Sequence, residues 1–233
     1  MSSDPKFQSL HQEVADRLRE QIFCGQLLPG DFLDESQLCE ALSISRTPLR
    51  EALKVLTAEG LLRHEPRRGC FVNQVTEQDL DDIFPVLALL EGRCTFEATN
   101  RATEADLSAL EGMHQALEAF GKSGQLNEYY TLNFQIHEVF IALAGNRWIS
   151  QMIGDLRKVL KLSRQQQLRV PGRLESSLQE HLALFKAMKA RDPLAAEQTM
   201  RHHIESQREA LKQLQSSVLN PAIQLLEKKG AVK

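Results

Sequence analysis

Ser45-Arg46-Thr47-Pro48-Leu49-Arg50-Glu51-Ala52-Leu53, followed after Gly60 by Leu61-Leu62-Arg63-His64-Glu65-Pro66-Arg67-Arg68-Gly69-Cys70-Phe71-Val72, decides the fold of this 233-residue chain. Ser45 stands where a helix N-cap belongs, and Pro48 falls in the first turn, where a missing N–H costs little. Leu49, Leu53 and Leu56 keep helical period, and Gly60 is a stop signal. Leu61 to Val72 then reads as two short β segments around a turn at Pro66–Gly69. Upstream, Glu35–Leu42 makes a short helix and Ser43-Ile44-Ser45 a turn. Leu10, Val14, Leu18 and Ile22 recur at i, i+4 and predict a helix of about fifteen residues, ended by Gly25 and Pro29-Gly30. Helix, helix, turn, helix, hairpin is the order of a winged helix-turn-helix.

Composition narrows the class. The chain is 42% hydrophobic and 25% charged, so a packed core is expected and disorder is not. No window approaches 18 apolar residues, and the start has no signal-peptide pattern. A cytoplasmic protein without a membrane segment is expected, with Cys24, Cys39, Cys70 and Cys94 as reduced thiols lacking metal spacing. Net charge is −3. It is unevenly spread: residues 1–40 carry three basic and eight acidic side chains, while 43–68 carry six basic and three acidic. A local cationic segment on an acidic protein can hold phosphate at one face.

Arg46 and Arg50, four apart, share one face at the N-terminal end of the third helix, where a recognition helix meets base edges and phosphates. Arginine suits bidentate contact with guanine or phosphate, and the Thr47 hydroxyl can add a phosphate contact. Arg67 and Arg68 at the hairpin tip are placed to follow the backbone or enter a minor groove. The alternative is a solvated basic face.

Residues 76–233 change character. Helices are predicted over 77–101, 104–121, 125–144, 146–168, 174–190 and 192–216, as an antiparallel all-α bundle. The domains expected are 1–75, 76–216 and a weakly patterned tail, 217–233. The fold class is mainly α.

Two patterns in the helical part carry chemistry. On helix 125–144 the polar arc is Asn127, Glu128, Thr131, Gln135 and Glu138. Asn133 and His137, i and i+4, lie instead within the apolar arc of Leu126, Tyr130, Leu132, Phe134, Ile136, Val139 and Phe140. An unsatisfied buried polar group costs about 1–3 kcal/mol, so both need partners. Around the turn Asp192-Pro193, His181 lies ten residues before Arg191 and His203 eleven after Asp192. Antiparallel helices leaving that turn carry both histidines to one depth, roughly 15–17 Å at 1.5 Å per residue. His202 points away. Three histidines and an amide facing inward from three helices fit a divalent metal, with zinc and nickel favoured by imidazole, or else separate core histidines. Glu91, in the stripe of Phe84, Leu87, Cys94 and Ala98, is read as a buried ion pair or an effector contact. Trp148 reads as a packing residue.

SRTPLREAL followed by EGLLRHEPRRGCFV closely resembles the N-terminal domain of GntR-family bacterial transcription regulators. The later segments resemble the FadR-type subfamily, whose C-terminal ligand domain is called FCD. The resemblance covers about residues 8–216. It implies a homodimer on a pseudo-palindromic operator, released or retained by a small effector. It also implies recognition by Arg46, Thr47 and Arg50 with Gly69 at the wing tip, and a metal held by Asn133, His137, His181 and His203. Three departures stand out. Ser36 occupies the position of a DNA-contacting arginine, Asn133 stands where many members have Asp, and Leu87 replaces an effector-binding arginine. Arg93, Arg157 or Arg164 could replace that charge, and Arg164 is grouped with Glu91 as effector-binding. The expected function is a metabolite-controlled repressor, with a carboxylate as effector. The alternatives are a metal-dependent hydrolase, against which the missing general base and the lack of HExxH or GxSxG signatures argue, and an inert helical dimerisation module.

Overall fold

The computed structural model describes residues 9–230; the side chains of 161–166, 169 and 217–230 lie outside that description. The chain divides into two compact units, one running up to Val75 and one chiefly from Thr76 onward.

In the first unit, α1 (Leu10–Phe23) buries Val14, Ala15, Leu18 and Ile22, the i, i+4 stripe expected. Asp34 opens α2 (Glu35–Leu42), its carboxylate accepting from the N–H groups of Ser36 at 2.8 Å and Gln37 at 3.1 Å. Ser43, at φ 54°, turns the chain out of α2 in the left-handed region. α3 (Arg46–Ala58) buries Leu49, Ala52, Leu53 and Leu56 against α1 and α2. Ser45 is its N-cap residue, but the hydroxyl makes no bond to the helix, so the expected cap is positional only. The hairpin pairs β2 (Leu62–Glu65) with β3 (Gly69–Val72). A third strand, β1 (Phe32–Leu33), joins the free edge of β3 and gives the order β1-β3-β2. Sequence reading missed β1, since two residues are too few to show alternation. Leu33, Leu61, Leu62, Cys70 and Val72 complete the core under the helices.

The second unit is the antiparallel bundle. Its helices are α4 (Glu77–Arg101), α5 (Glu104–Ser123), α6 (Leu126–Ala144), α7 (Arg147–Gln166), α8 (Arg173–Lys189) and α9 (Pro193–Gly230). Thr76 with Asp79, and Thr103 with Asp106, form reciprocal capping boxes at the starts of α4 and α5. α4 packs on α6 and α9, α5 on α6 and α8, and α8 on α9. Boundaries lie within two residues of expectation, with two differences. The expected 146–168 helix closes at Gln166 and passes into a 3-10 turn, Gln167–Arg169. The last helix runs on to Gly230 rather than ending near 216. In that segment Val218, Leu219, Ala222, Ile223, Leu225 and Leu226 recur at helical spacing. Among the described residues no helix is long and apolar enough to cross a membrane.

The buried arc of α6 also differs in detail. Leu126 and Phe134, placed inside by periodicity, are 37% and 42% exposed, while Tyr129 is fully buried and donates to Ser177 Oγ at 3.0 Å. Phe134 is covered instead by the Arg157 guanidinium, 5.4 Å from its ring centre.

Gly69 holds φ at 105°, and a Cβ there would meet the Phe32 ring at 2.7 Å. Gly69→Ala is therefore expected to cost about 1–3 kcal/mol by strain and by displacing β1. Urea unfolding checks this, and a loss below about 0.5 kcal/mol, the scale of an ordinary surface change, would contradict the strain.

Candidate DNA-reading face and candidate metal centre

Arg46 and Thr47 occupy the first turn of α3 and Arg50 the next, all exposed. Arg50 Nε donates to Glu35 Oε2 at 2.9 Å, and Arg46 Nη2 reaches Ser36 Oγ at 3.5 Å. Ser36 thus supports Arg46 rather than presenting a cation of its own. In the wing, Arg67 (φ 66°) and Arg68 are exposed in the turn, with Gly69 half-buried beside them. Arg68 donates to Glu65 at 2.5 Å, and its guanidinium lies 5.5 Å from the Phe71 ring centre. Exposed ion pairs of this kind are worth about 0–1 kcal/mol. They orient the arginines only weakly.

In the bundle, His137 of α6, His181 of α8 and His203 of α9 converge. Their ring centres are 5.3 Å (137 to 181), 5.2 Å (137 to 203) and 4.7 Å (181 to 203) apart. Each offers a ligand atom within 4.8 Å of the others, and all are at most 1% exposed. His202 is exposed, as expected. Asn133, one turn before His137, lies with its amide nitrogen 2.8 Å from His181 Nε2.

Burial lowers the pKa of all three histidines. That of His137 falls to about 3 although Glu91 opposes the change, so the rings are neutral. A neutral ring has one N–H and one lone pair. His137 Nδ1–H donates to Glu91 Oε2 at 2.7 Å, and His203 Nδ1–H to Glu180 Oε2 at 2.5 Å. Both Nε2 atoms therefore carry lone pairs. That of His137 is buried without a hydrogen-bond partner; that of His203 faces the Gln207 amide at 2.8 Å. Carboxylates on the outer nitrogens and lone pairs directed inward are what a metal-binding imidazole requires. The donor set fits a metal ion, and the three imidazoles could hold one.

The carboxylates are themselves tied down. Arg157 of α7 donates from Nε to Glu91 Oε1 at 2.9 Å and from Nη1 to Glu138 at 2.5 Å. Arg173, at the start of α8, holds Glu180 with both nitrogens, at 3.1 and 2.9 Å. Burial pushes the Glu180 carboxyl up, but His203 and Arg173 outweigh it and hold it low. Glu91 is thus a buried ion pair that orients a histidine, with Arg157 as its cation. Arg93 turns instead to Glu97. The side chain of Arg164 lies outside the described residues. Trp148 is 62% exposed, so it is not the packing residue expected. A groove of about 700 Å³ between α8 and α9 meets this centre only through Glu180 and Arg173.

Sequence reading missed Glu180, Arg173, Gln207 and a fourth buried histidine, His114 of α5, 2% exposed. His114 lies on the stripe of Leu107, Leu110 and Leu117, the same signal that exposed His137.

A winged helix-turn-helix joined to an all-helical unit is the architecture of a DNA-binding regulator. The family profile "Bacterial regulatory proteins, gntR family" matches residues 10–72, and that of the FCD domain residues 82–206. The chain belongs to the gntR family of DNA-binding transcriptional regulators and carries an FCD domain; it is not an enzyme. It is 26% identical over 208 residues to the HTH-type transcriptional repressor RspR of Escherichia coli, covering 89% of this chain and 91% of that one. It is 29% identical to the gluconate operon transcriptional repressor of Bacillus licheniformis, covering 77% and 75%. The structure of E. coli McbR/YncC shares the fold, with a TM-score of 0.69 at 24% identity over 89% of this chain and 99% of that one.

Removing one member of a buried ion pair costs about 3–5 kcal/mol, whereas replacing both by apolar groups is often neutral. Glu91→Gln should lose about that much in urea unfolding with chelator present, and Glu91→Gln with Arg157→Met should recover most of it. A double variant no more stable than the single one would show that the pair is not the strut.

Proposed function

We propose that this chain is a cytoplasmic, homodimeric repressor whose operator affinity is set by a small carboxylate bound at a metal in the helical unit. The observation that carries the reading is the three neutral, buried imidazoles, two with Nδ1 committed to a carboxylate. His137, His181 and His203 would hold the ion, with Asn133 beside them; zinc and nickel suit nitrogen ligands best. When bound, the ion supplies a fixed positive charge that can take a carboxylate oxygen. Such a ligand set would leave the ion able to take an effector oxygen as well. The name of the gluconate operon repressor fits a hydroxy-acid setting. An effector bound better by one bundle packing shifts the population, and with it the fit of two winged units to two half-sites. Domains of 1–75 and 76–216 follow this division of labour.

On the DNA side, Arg46, Thr47 and Arg50 read the major groove while Arg67, Arg68 and Gly69 form the wing contact. A bidentate base contact is worth about 1–3 kcal/mol, so Arg46→Ala should weaken binding to a duplex selected from a random pool about 5- to 150-fold. Fluorescence anisotropy reads it, with metal content and melting temperature unchanged. Unaltered affinity sinks the assignment.

On the metal side, equilibrium dialysis should give about one zinc or nickel per chain for the unaltered protein and none for His137→Ala. No metal in either protein rejects the metal reading and leaves the DNA reading standing.

A further inference from the structure

A neutral imidazole has one lone pair, and that of His203 is already in use. Its Nδ1–H donates to Glu180 Oε2, so Nε2 is the acceptor. The group facing Nε2, at 2.8 Å, is the side-chain amide of Gln207. An amide oxygen only accepts and has no bond to make with a lone pair, so the NH2 end is the one turned to the ring. The orientation of the amide thus follows from Glu180 rather than from the contact itself.

Both partners lie on α9, four residues apart, so the bond is built within one helix. Each is 1% exposed, and bulk water does not compete for it. The residue one turn after each of the other two histidines is apolar: Ile141 follows His137, and Phe185 follows His181, both buried. His137 Nε2 is buried without a hydrogen-bond partner. Packing alone does not call for a carboxamide at the corresponding place on α9, because burying one is costly unless it is bonded. The bond to His203 accounts for it.

We propose that Gln207 is an internal competitor for the metal: its side-chain N–H holds the His203 lone pair that an ion would need. One lone pair serves one partner at a time. An ion held by His203 therefore requires the amide to give up its bond, and the affinity of the centre sits below what three unengaged imidazoles would provide. The same amide lets the centre release an ion without leaving a buried acceptor unpaired. The proposal rests on the metal reading given above for its effect on affinity.

Gln207→Leu removes the amide, keeps a side chain of similar size and leaves all three histidines in place. Zinc affinity, read by competition with a chelating dye, should rise about 2- to 13-fold, the equilibrium value of one net hydrogen bond. A change under twofold overturns the proposal, since the amide then does not compete. A fall overturns it too, since the amide then assists binding. Zinc bound by neither the unaltered protein nor the variant rejects the metal centre and the proposal together, whereas zinc bound equally by both rejects the proposal alone. The unaltered protein gives a second reading that does not require the variant to fold. Titration of the metal-free, 15N-labelled protein with zinc should move the Gln207 side-chain amide signals in step with those of the His203 ring. Amide signals that stay in place while zinc saturates the protein overturn the proposal.

Discussion

Glu91 is buried and Glu180 largely so, and each accepts a hydrogen bond from the outer nitrogen of a histidine on another helix. This constraint organises the bundle. A carboxylate in such a place needs a cation, and Arg157 and Arg173 supply one each from α7 and α8. Once the carboxylates are fixed, the tautomers of His137 and His203 follow, and so does the inward direction of their lone pairs. The apolar packing of α4, α6, α8 and α9 sets how close these groups come. Hydrogen bonding decides which atom of each points where.

The DNA-reading unit works on the opposite principle. The arginines proposed to meet DNA are exposed, and their partners Glu35, Glu65 and Ser36 hold them through contacts that water already weakens. An acidic protein can keep a cationic face in this way without burying a charge. The wing is braced by β1, where Phe32 stands over Gly69 and packs on Phe71 at 5.3 Å.

Much of this was legible because it rests on short-range pattern. Leu49, Leu53 and Leu56 mark α3, and Gly60 its end. Asn133 and His137 announced themselves as polar residues on an apolar arc, and the turn at Asp192 brought His181 and His203 level. What escaped rests on pairings across the chain. Arg157 meets Glu91 from 66 positions away, and periodicity carries no such information. Glu180 is masked by its neighbour His181, and His114 by lying alone on its stripe. β1 exists only because β3 offers it an edge. Phe134 looked buried because an aromatic residue at that spacing usually is, and an arginine covered it instead.

The charges of the buried centre cancel. Glu91 stands against Arg157 and Glu180 against Arg173, while the imidazoles and the Asn133 amide are neutral. An aspartate at 133 would have given the centre a standing negative charge. With asparagine there, a cation held as proposed would enter a place already at electroneutrality, and its field in a low-dielectric interior would be left for an incoming anion to quench. Cation and anion would then favour each other's arrival, and by reciprocity each would raise the other's affinity by the same factor. Such a centre would answer to the product of two concentrations rather than to either alone.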